Sequence, residues 1–373
     1  MGGISDLGVY LHYPWCRKLC PYCDFAVEVG TPEHDAYLAA ILRELDARGS
    51  AFEGGQLVSI YLGGGTPSLW KPECIGAAIA KISARFGARA SELEVTIEAN
   101  PTDCDDAHLA AWRDAGINRI SIGVQSLQQD ELVVLGRDHR FGDGIAALER
   151  VLATGGFRTS CDFILGTPTK GAGALPAWIG PVTATAVDHL SVYELTIEDR
   201  TAFGARVRTG RLVPLDEETL TDLYVGTHDA LTAAGFEHYE ISSYARPGKR
   251  AVHNSLYWQG APFLGLGVGA ASLWLAPDGS GERATNPRRA AEYMAAPGVA
   301  AERTVIDAAE MAADRAWLGM RTSDGVAERL LTPEVVRFLL DEGLAERRGD
   351  RICPTLRGFL MADRIAARIV QAL

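Results

Sequence analysis

Cys16-Arg17-Lys18-Leu19-Cys20-Pro21-Tyr22-Cys23 sets three cysteines at C-x3-C-x2-C spacing, directly behind a run, Gly8–His12, that predicts a β-strand. Three thiolates on one loop can each bind an iron of a [4Fe–4S] cube, leaving the fourth iron without a protein ligand. Zinc is the competing occupant, because three cysteines and a histidine close a tetrahedral site. His12 and His34 are near in sequence, but neither completes a zinc-finger spacing. Structural disulfides are not expected. The seven cysteines are an odd number, and residues 1–13 carry neither the basic nor the apolar region of a secretory signal. The other four, Cys74, Cys104, Cys161 and Cys353, have no ligand spacing; Cys161 is expected to face away from Asp162 as a small buried hydrophobe.

Outward from this loop, short β-branched runs alternate with longer helical stretches. The predicted strands are Gly8–His12, Leu57–Leu62, Leu93–Glu98, Arg119–Val124, Arg158–Leu165 and His189–Leu195, with helices such as Pro32–Arg48, Pro72–Phe86 and Asp105–Ala115 between them. Connections of this length allow right-handed crossovers between parallel strands. The predicted fold is therefore α/β, a partial (β/α)6 barrel spanning 1–200. An α+β extension over 201–295 follows, with a helix at Asp216–Ala234, a strand at Glu237–Ile241 and an aromatic, glycine-rich segment to Trp274. Residues 296–373 read helix, helix, a charged hairpin around Arg347–Ile352 and a helix from Leu356, the order of a winged helix.

Composition narrows the function classes. The 373 residues hold 36 basic and 48 acidic side chains, a net charge of −12, and 47% hydrophobic residues. That is ample for a core and excludes a disordered chain. The acidic balance argues against a sequence-independent nucleic-acid binder. The winged-helix-like hairpin mixes Glu346 and Asp350 with Arg347, Arg348 and Arg351, so it forms no one-sided basic stripe, and a lid or partner-docking role is expected for it. The longest apolar stretch, Phe263–Pro277, is too short and too glycine-rich to span a membrane. A cytoplasmic protein is expected.

Gly63-Gly64-Gly65-Thr66-Pro67 follows the second predicted strand and so falls at its C-terminal end, where α/β folds bind ligands. Glycines there let backbone N–H groups approach a carboxylate or ribose. Cysteine loop and glycine turn together resemble the radical S-adenosylmethionine (SAM) superfamily. Tyr10-Leu11-His12-Tyr13-Pro14, Ile97-Glu98-Ala99-Asn100-Pro101, Gly123-Val124-Gln125-Ser126, Gly136-Arg137, Asp162 to Pro168 and Leu190-Ser191-Val192-Tyr193 resemble the branch that holds oxygen-independent coproporphyrinogen III oxidase and the HemW-type heme chaperones.

The resemblance implies that Cys16, Cys20 and Cys23 hold a [4Fe–4S] cluster whose open iron is chelated by SAM. It implies SAM contacts at Tyr10, Gly64 and Glu98, and near Ala271 in the glycine ladder Gly265 to Ser272. A second SAM, as in the oxidase, would meet Tyr22, Gly65, Thr66, Gln125, Arg137 and Asp162. Gln125, Arg137 and Asp162 also suit a network of satisfied polar groups lining a barrel. Two departures from the oxidase pattern favour the chaperone type: Phe25 stands where the oxidase has a further cysteine, and only 15 residues precede Cys16. His253-Asn254-Ser255-Leu256-Tyr257-Trp258 fits the H-N-x-x-Y-W signature of that type, which implies heme binding with His253 as axial ligand; a buried core histidine is the alternative. The expected partners are heme, a heme-acceptor protein and a flavodoxin- or ferredoxin-type electron donor, with no nucleic acid. The alternative is a radical SAM enzyme that cleaves SAM to a 5′-deoxyadenosyl radical, such as the oxidase or a related methylating or tetrapyrrole enzyme.

Overall fold

The computed structural model describes residues 6–87, 93–169, 171 and 173–372. Six parallel strands match the predicted runs: β1 Asp6–Tyr13, β2 Gln56–Gly64, β3 Glu94–Ala99, β4 Arg119–Gln125, β5 Arg158–Leu165 and β6 His189–Glu194. Helices α1 (His34–Arg48), α2 (Pro72–Phe86), α3 (Asp106–Asp114) and α4 (Asp143–Thr154) connect them. Local chemistry sets the helix ends. Asp105 caps α3 by accepting from the His108 N–H, and Gly87 in the left-handed region (φ 65°) ends α2.

The sheet is larger than the sequence pattern suggests. The rest of it comes from the following residues: α5 (Glu217–Ala233), β7 (Glu237–Glu240), β8 (Ser243–Ala245), α6 (Val252–Gln259), β9 (Phe263–Gly267), β10 (Ala271–Leu275), β11 (Gly281–Thr285) and β12 (Glu302–Ile306). One 12-stranded sheet runs β12-β11-β10-β9-β1-β2-β3-β4-β5-β6-β8-β7. Strand β9 lies parallel to β1, with Gly8 opposite Phe263 and His12 opposite Gly267, so the barrel wall holds a seventh parallel strand that periodicity missed. From segment 201–295, Leu231, Phe236, Tyr244, Leu264, Leu266 and Tyr293 join the same apolar cluster as β1–β6, while Leu273 packs with Ile306 and Met311 in a small cluster of its own.

Alternation along the strands sorts the side chains. Ile60, Leu62, Val95, Ile97, Ile120, Ile122, Cys161, Phe163, Leu190 and Val192 pack in the apolar core, and Cys161 sits there as expected. The intervening positions face the lumen and are polar. Tyr61 donates to Glu98 (2.8 Å), Ser121 to Asp162 (3.0 Å), and Ser160 bonds His189 Nδ1 (2.8 Å). Helix α6 plugs the lumen floor. The Glu94 carboxylate accepts from the Val252 and His253 N–H groups at 3.0 and 3.1 Å and from Arg158 Nη1 at 3.0 Å, with the buried Arg119 guanidinium 3.9 Å away.

The C-terminal region has its own core, with Ala316, Met320, Val336, Leu339, Ile352 and Ile365 among its members. Helices α7 (Ala308–Gly319), α8 (Pro333–Asp341) and α9 (Ala362–Ala372) surround a three-stranded sheet of β13 (Val326–Ala327), β14 (Ala345–Arg348) and β15 (Arg351–Pro354), in winged-helix order. An isolated bridge between Glu240 at the end of β7 and Thr322 joins it to the large sheet. Among the described residues no helix is long and apolar enough to cross a membrane.

Replacing Glu94 by Ala strands the buried Arg119 charge and frees the start of α6. Removing one partner of a buried ion pair costs about 3–5 kcal/mol, so Glu94→Ala should lower the urea midpoint by that equivalent. A loss under about 1 kcal/mol would show that the floor does not depend on this carboxylate.

Candidate functional site

A cavity of about 340 Å³ opens at the C-terminal ends of the parallel strands. Its wall includes Cys16, Cys20 and Cys23 from the loop after β1, Gly64, Gly65 and Thr66 from the turn after β2, Glu98 and Asn100 at the end of β3, Gln125 at the end of β4, and Asp162 from β5. Tyr22, Arg137 and Tyr193 complete it.

The cysteine loop is pinned from several sides. Arg17 Nη1 donates to Asp103 Oδ1 (2.6 Å), whose other oxygen accepts from Ser68 (2.6 Å). The Phe203 N–H donates to the Pro21 carbonyl (2.9 Å), Arg200 pairs with Asp24, and Arg288 donates to the Asp24 carbonyl (2.7 Å). His12 Nε2 bonds the Ala26 carbonyl at 2.9 Å and its Nδ1 bonds the Tyr10 hydroxyl at 3.1 Å, so both ring nitrogens are engaged. Burial lowers His12 to about 4, which keeps it neutral.

The glycine turn is dictated by space. Gly64 has φ 104°, and a Cβ there would lie 2.5 Å from the His12 ring; at Gly65 it would lie 2.8 Å from the Tyr13 and Trp15 carbonyl oxygens. Its freed N–H is used, donating from Gly64 to Glu98 Oε2 at 3.2 Å. Gln125 is the non-glycine residue with a left-handed φ (64°) among the described residues, at a point where the β4–β5 register shifts. This bulge turns its side chain into the cavity wall, and such strain gathers at ligand sites.

The electrostatics pair thiols with one guanidinium. Burial pushes the Cys16 thiol up to about 11, with Cys23 and Cys20 acting the same way, so it is protonated at neutral pH until a metal takes the thiolate. Arg137 is held by Asn100 Oδ1 (2.6 Å) and the Gly123 carbonyl (3.1 Å) and points Nη1 at Cys20 Sγ, 3.7 Å away. Burial raises Glu98 to about 7, with the Asp162 carboxyl adding to the shift, and burial raises Asp162 as well. Three thiols with an adjacent cation suit an anionic thiolate-ligated cluster. Among the described residues no three His, Cys, Asp or Glu side chains converge on one ion, whereas a cube spreads its ligands over three irons.

Three expected contacts lie elsewhere. Tyr10 stands below the cavity, its ring 6.2 Å from Tyr61 and 6.4 Å from His253. Ala271 is exposed at the start of β10 and outside the lining, because β9 turns away into an antiparallel hairpin there. His253 is 1% exposed in the lumen floor, its Nδ1 2.9 Å from Ser59 Oγ and its Nε2 2.9 Å from the Tyr257 hydroxyl. Burial lowers it to about 3, and both ring nitrogens are engaged within the floor, the arrangement of the core-histidine alternative. Asn100 and Tyr193, which carry no role in the sequence beyond their motifs, line the cavity at strand C-terminal ends, and Asp103 anchors the cysteine loop through Arg17.

Fold and site together define a radical SAM protein. The radical SAM superfamily model matches residues 10–172. Over 295 residues the chain is 36% identical to the heme chaperone HemW of Escherichia coli, covering 78% of this chain and 76% of that one. It is 32% identical to HemW of Mycobacterium tuberculosis strain H37Rv, covering 98% of this chain and 95% of that one. Mouse radical S-adenosyl methionine domain-containing protein 1, mitochondrial, is 37% identical over 73% of this chain and 62% of its own length. The chain belongs to the HemW family of the radical SAM superfamily, whose cofactors are a [4Fe–4S] cluster and SAM. Its fold matches coproporphyrinogen III oxidase (HemN) of Escherichia coli with a TM-score of 0.79 at 21% identity, over 99% of this chain and 91% of that one.

Glu98 carries a pH signature. With its pKa raised from 4.5 to about 7 in the folded state, the folded chain holds the proton more tightly than the unfolded one, so stability is lost as pH rises through this window. Glu98→Gln cannot ionise. The cofactor-free variant should match wild type at pH 5 and exceed it by about 1–3 kcal/mol at pH 8 in thermal or urea melts. Equal melting at both pH values would mean that Glu98 is solvated like a surface carboxylate.

Proposed function

We propose that this chain is a cytoplasmic heme chaperone that holds a SAM-bound [4Fe–4S] cluster, binds heme and passes it to an acceptor protein. The observation that carries this reading is the near full-length similarity to relatives named heme chaperone HemW. Phe25, 65% exposed at the cavity rim where the oxidase pattern has a cysteine, supports it further.

Cys16, Cys20 and Cys23 would hold the cluster, which supplies an iron with an open position for the amino and carboxylate groups of SAM. Arg137 offsets the thiolate charge at Cys20. Glu98, neutral or ionised near pH 7, can donate to or accept from a bound ligand, and Gln125 and Asp162 offer further polar contacts in the same wall. Exposed Leu19 and Phe25 give the mouth an apolar rim that suits a porphyrin face and excludes water. The electron donor would be of flavodoxin or ferredoxin type. His253 acts in this reading as a floor residue that ties α6 to β2.

Anaerobic reconstitution followed by hemin titration tests the proposal. About one heme per chain should survive gel filtration as a Soret band, with no decarboxylation of added coproporphyrinogen. Cys20→Ala should lose the cluster absorbance. His253→Ala should keep the heme stoichiometry while lowering the melting temperature. Porphyrinogen turnover without retained heme overturns the chaperone reading, and loss of heme in His253→Ala at unchanged stability restores His253 as a ligand.

A further inference from the structure

A second cavity, of about 410 Å³, lies on the opposite side of the barrel floor, between α6 and the C-terminal domain. Four arginines line it, Arg250, Arg315, Arg329 and Arg351, with Asp324 as the single carboxylate of the lining and Trp258 on its wall. Such an excess of one sign is unexpected in a chain of net charge −12. Two of the arginines are spoken for. Arg250 Nη1 grips Asp324 at 2.9 Å, and Arg351 donates from Nε and Nη2 to the Asp324 and Gly325 carbonyls, both at 2.7 Å. No ion pair or hydrogen bond among the described residues engages the guanidinium of Arg315 or Arg329, and α7 and the segment after β13 aim both at one concavity.

Clustered guanidiniums repel one another, and a site that keeps two of them free is built to receive negative charge. Their planar forks match the paired oxygens of a phosphate or carboxylate. We propose that Arg315 and Arg329 form a receptor for a small oxyanion at the seam between barrel and C-terminal domain, with Trp258 as the apolar wall. The oxyanion has two sources of the same chemistry: a soluble phosphate ester, or the propionates of a porphyrin, the latter resting on the heme reading above. Ligand here bridges α6 and α7, so occupancy tightens the seam.

The test uses the full cluster-loaded chain. Inorganic pyrophosphate is titrated by calorimetry at low salt into wild type, Arg315→Gln, Arg329→Gln and the double variant. Wild type should bind, each single variant several-fold more weakly, and the double variant at least tenfold more weakly. Cluster absorbance should be unchanged throughout. Without anion the double variant should melt no lower than wild type, because like-charge repulsion has been relieved; structural arginines would lower it. Displacement of pyrophosphate by hemin but not by hemin dimethyl ester identifies propionates as the source, and displacement by neither identifies a soluble anion. Equal pyrophosphate affinity in wild type and double variant, or no binding in either, overturns the site. Failure of heme binding alone removes only the porphyrin source.

Discussion

The inner face of the parallel sheet is polar, and the rest of the molecule is arranged to satisfy it. A barrel interior filled with aliphatic layers needs nothing from its floor. Here Ser59, Glu94, Arg119, Ser160 and His189 are buried, and each unmet donor or acceptor would cost on the order of 1–3 kcal/mol. Helix α6 answers part of that demand from below, through the Glu94 carboxylate at its first turn and His253 on Ser59, while Arg119 Nε has no hydrogen-bond partner among the described residues and faces Glu94 at 3.9 Å. At the upper end the same alternation leaves Glu98, Asp162 and Gln125 facing a cavity, where their hydrogen-bonding capacity is open to a ligand. One strand pattern thus produces a sealed floor and a receptive mouth.

The cysteine loop depends on that scaffold as well. Its anchors come from the chain after β3 (Asp103), the segment after β6 (Arg200, Phe203) and the residues beyond β11 (Arg288), so three distant parts of the chain fix one short loop. Positioning the thiols before the metal arrives reduces the ordering entropy that cluster binding must overcome. The cost is borne in the fold, at Gly64 and at the left-handed Gln125.

What could be read from the sequence follows from how local each signal is. The cysteine spacing, the glycine turn and the six strand–helix units are encoded within a few residues, and they stand where the pattern put them. Residues whose role depends on long-range pairing were not legible. The motif around His253 suits either a ligand or a core histidine, because its surroundings are set by Ser59, almost 200 positions earlier. Ala271 looked like part of the site because its neighbours do return to the barrel, but the β9–β10 hairpin carries it outward. The glycine ladder suits a tight strand packed against the barrel, but its partner is not encoded locally: glycines at 265 and 267 break the β-branched signature while allowing close backbone approach to β1 and β10.

The pairing of β9 with β1 has a consequence for how the chain is made. Strand β1 is central, and its second neighbour is synthesised some 250 residues after it. Until Gly267 has left the ribosome, one side of β1 is an unpaired parallel edge of apolar Val9 and Leu11 flanked by open N–H and C=O groups. Contacts of such sequence separation form late and slowly. The nascent half-barrel therefore carries an adhesive edge through most of its translation, until the glycine-rich segment near residue 265 closes over the first strand.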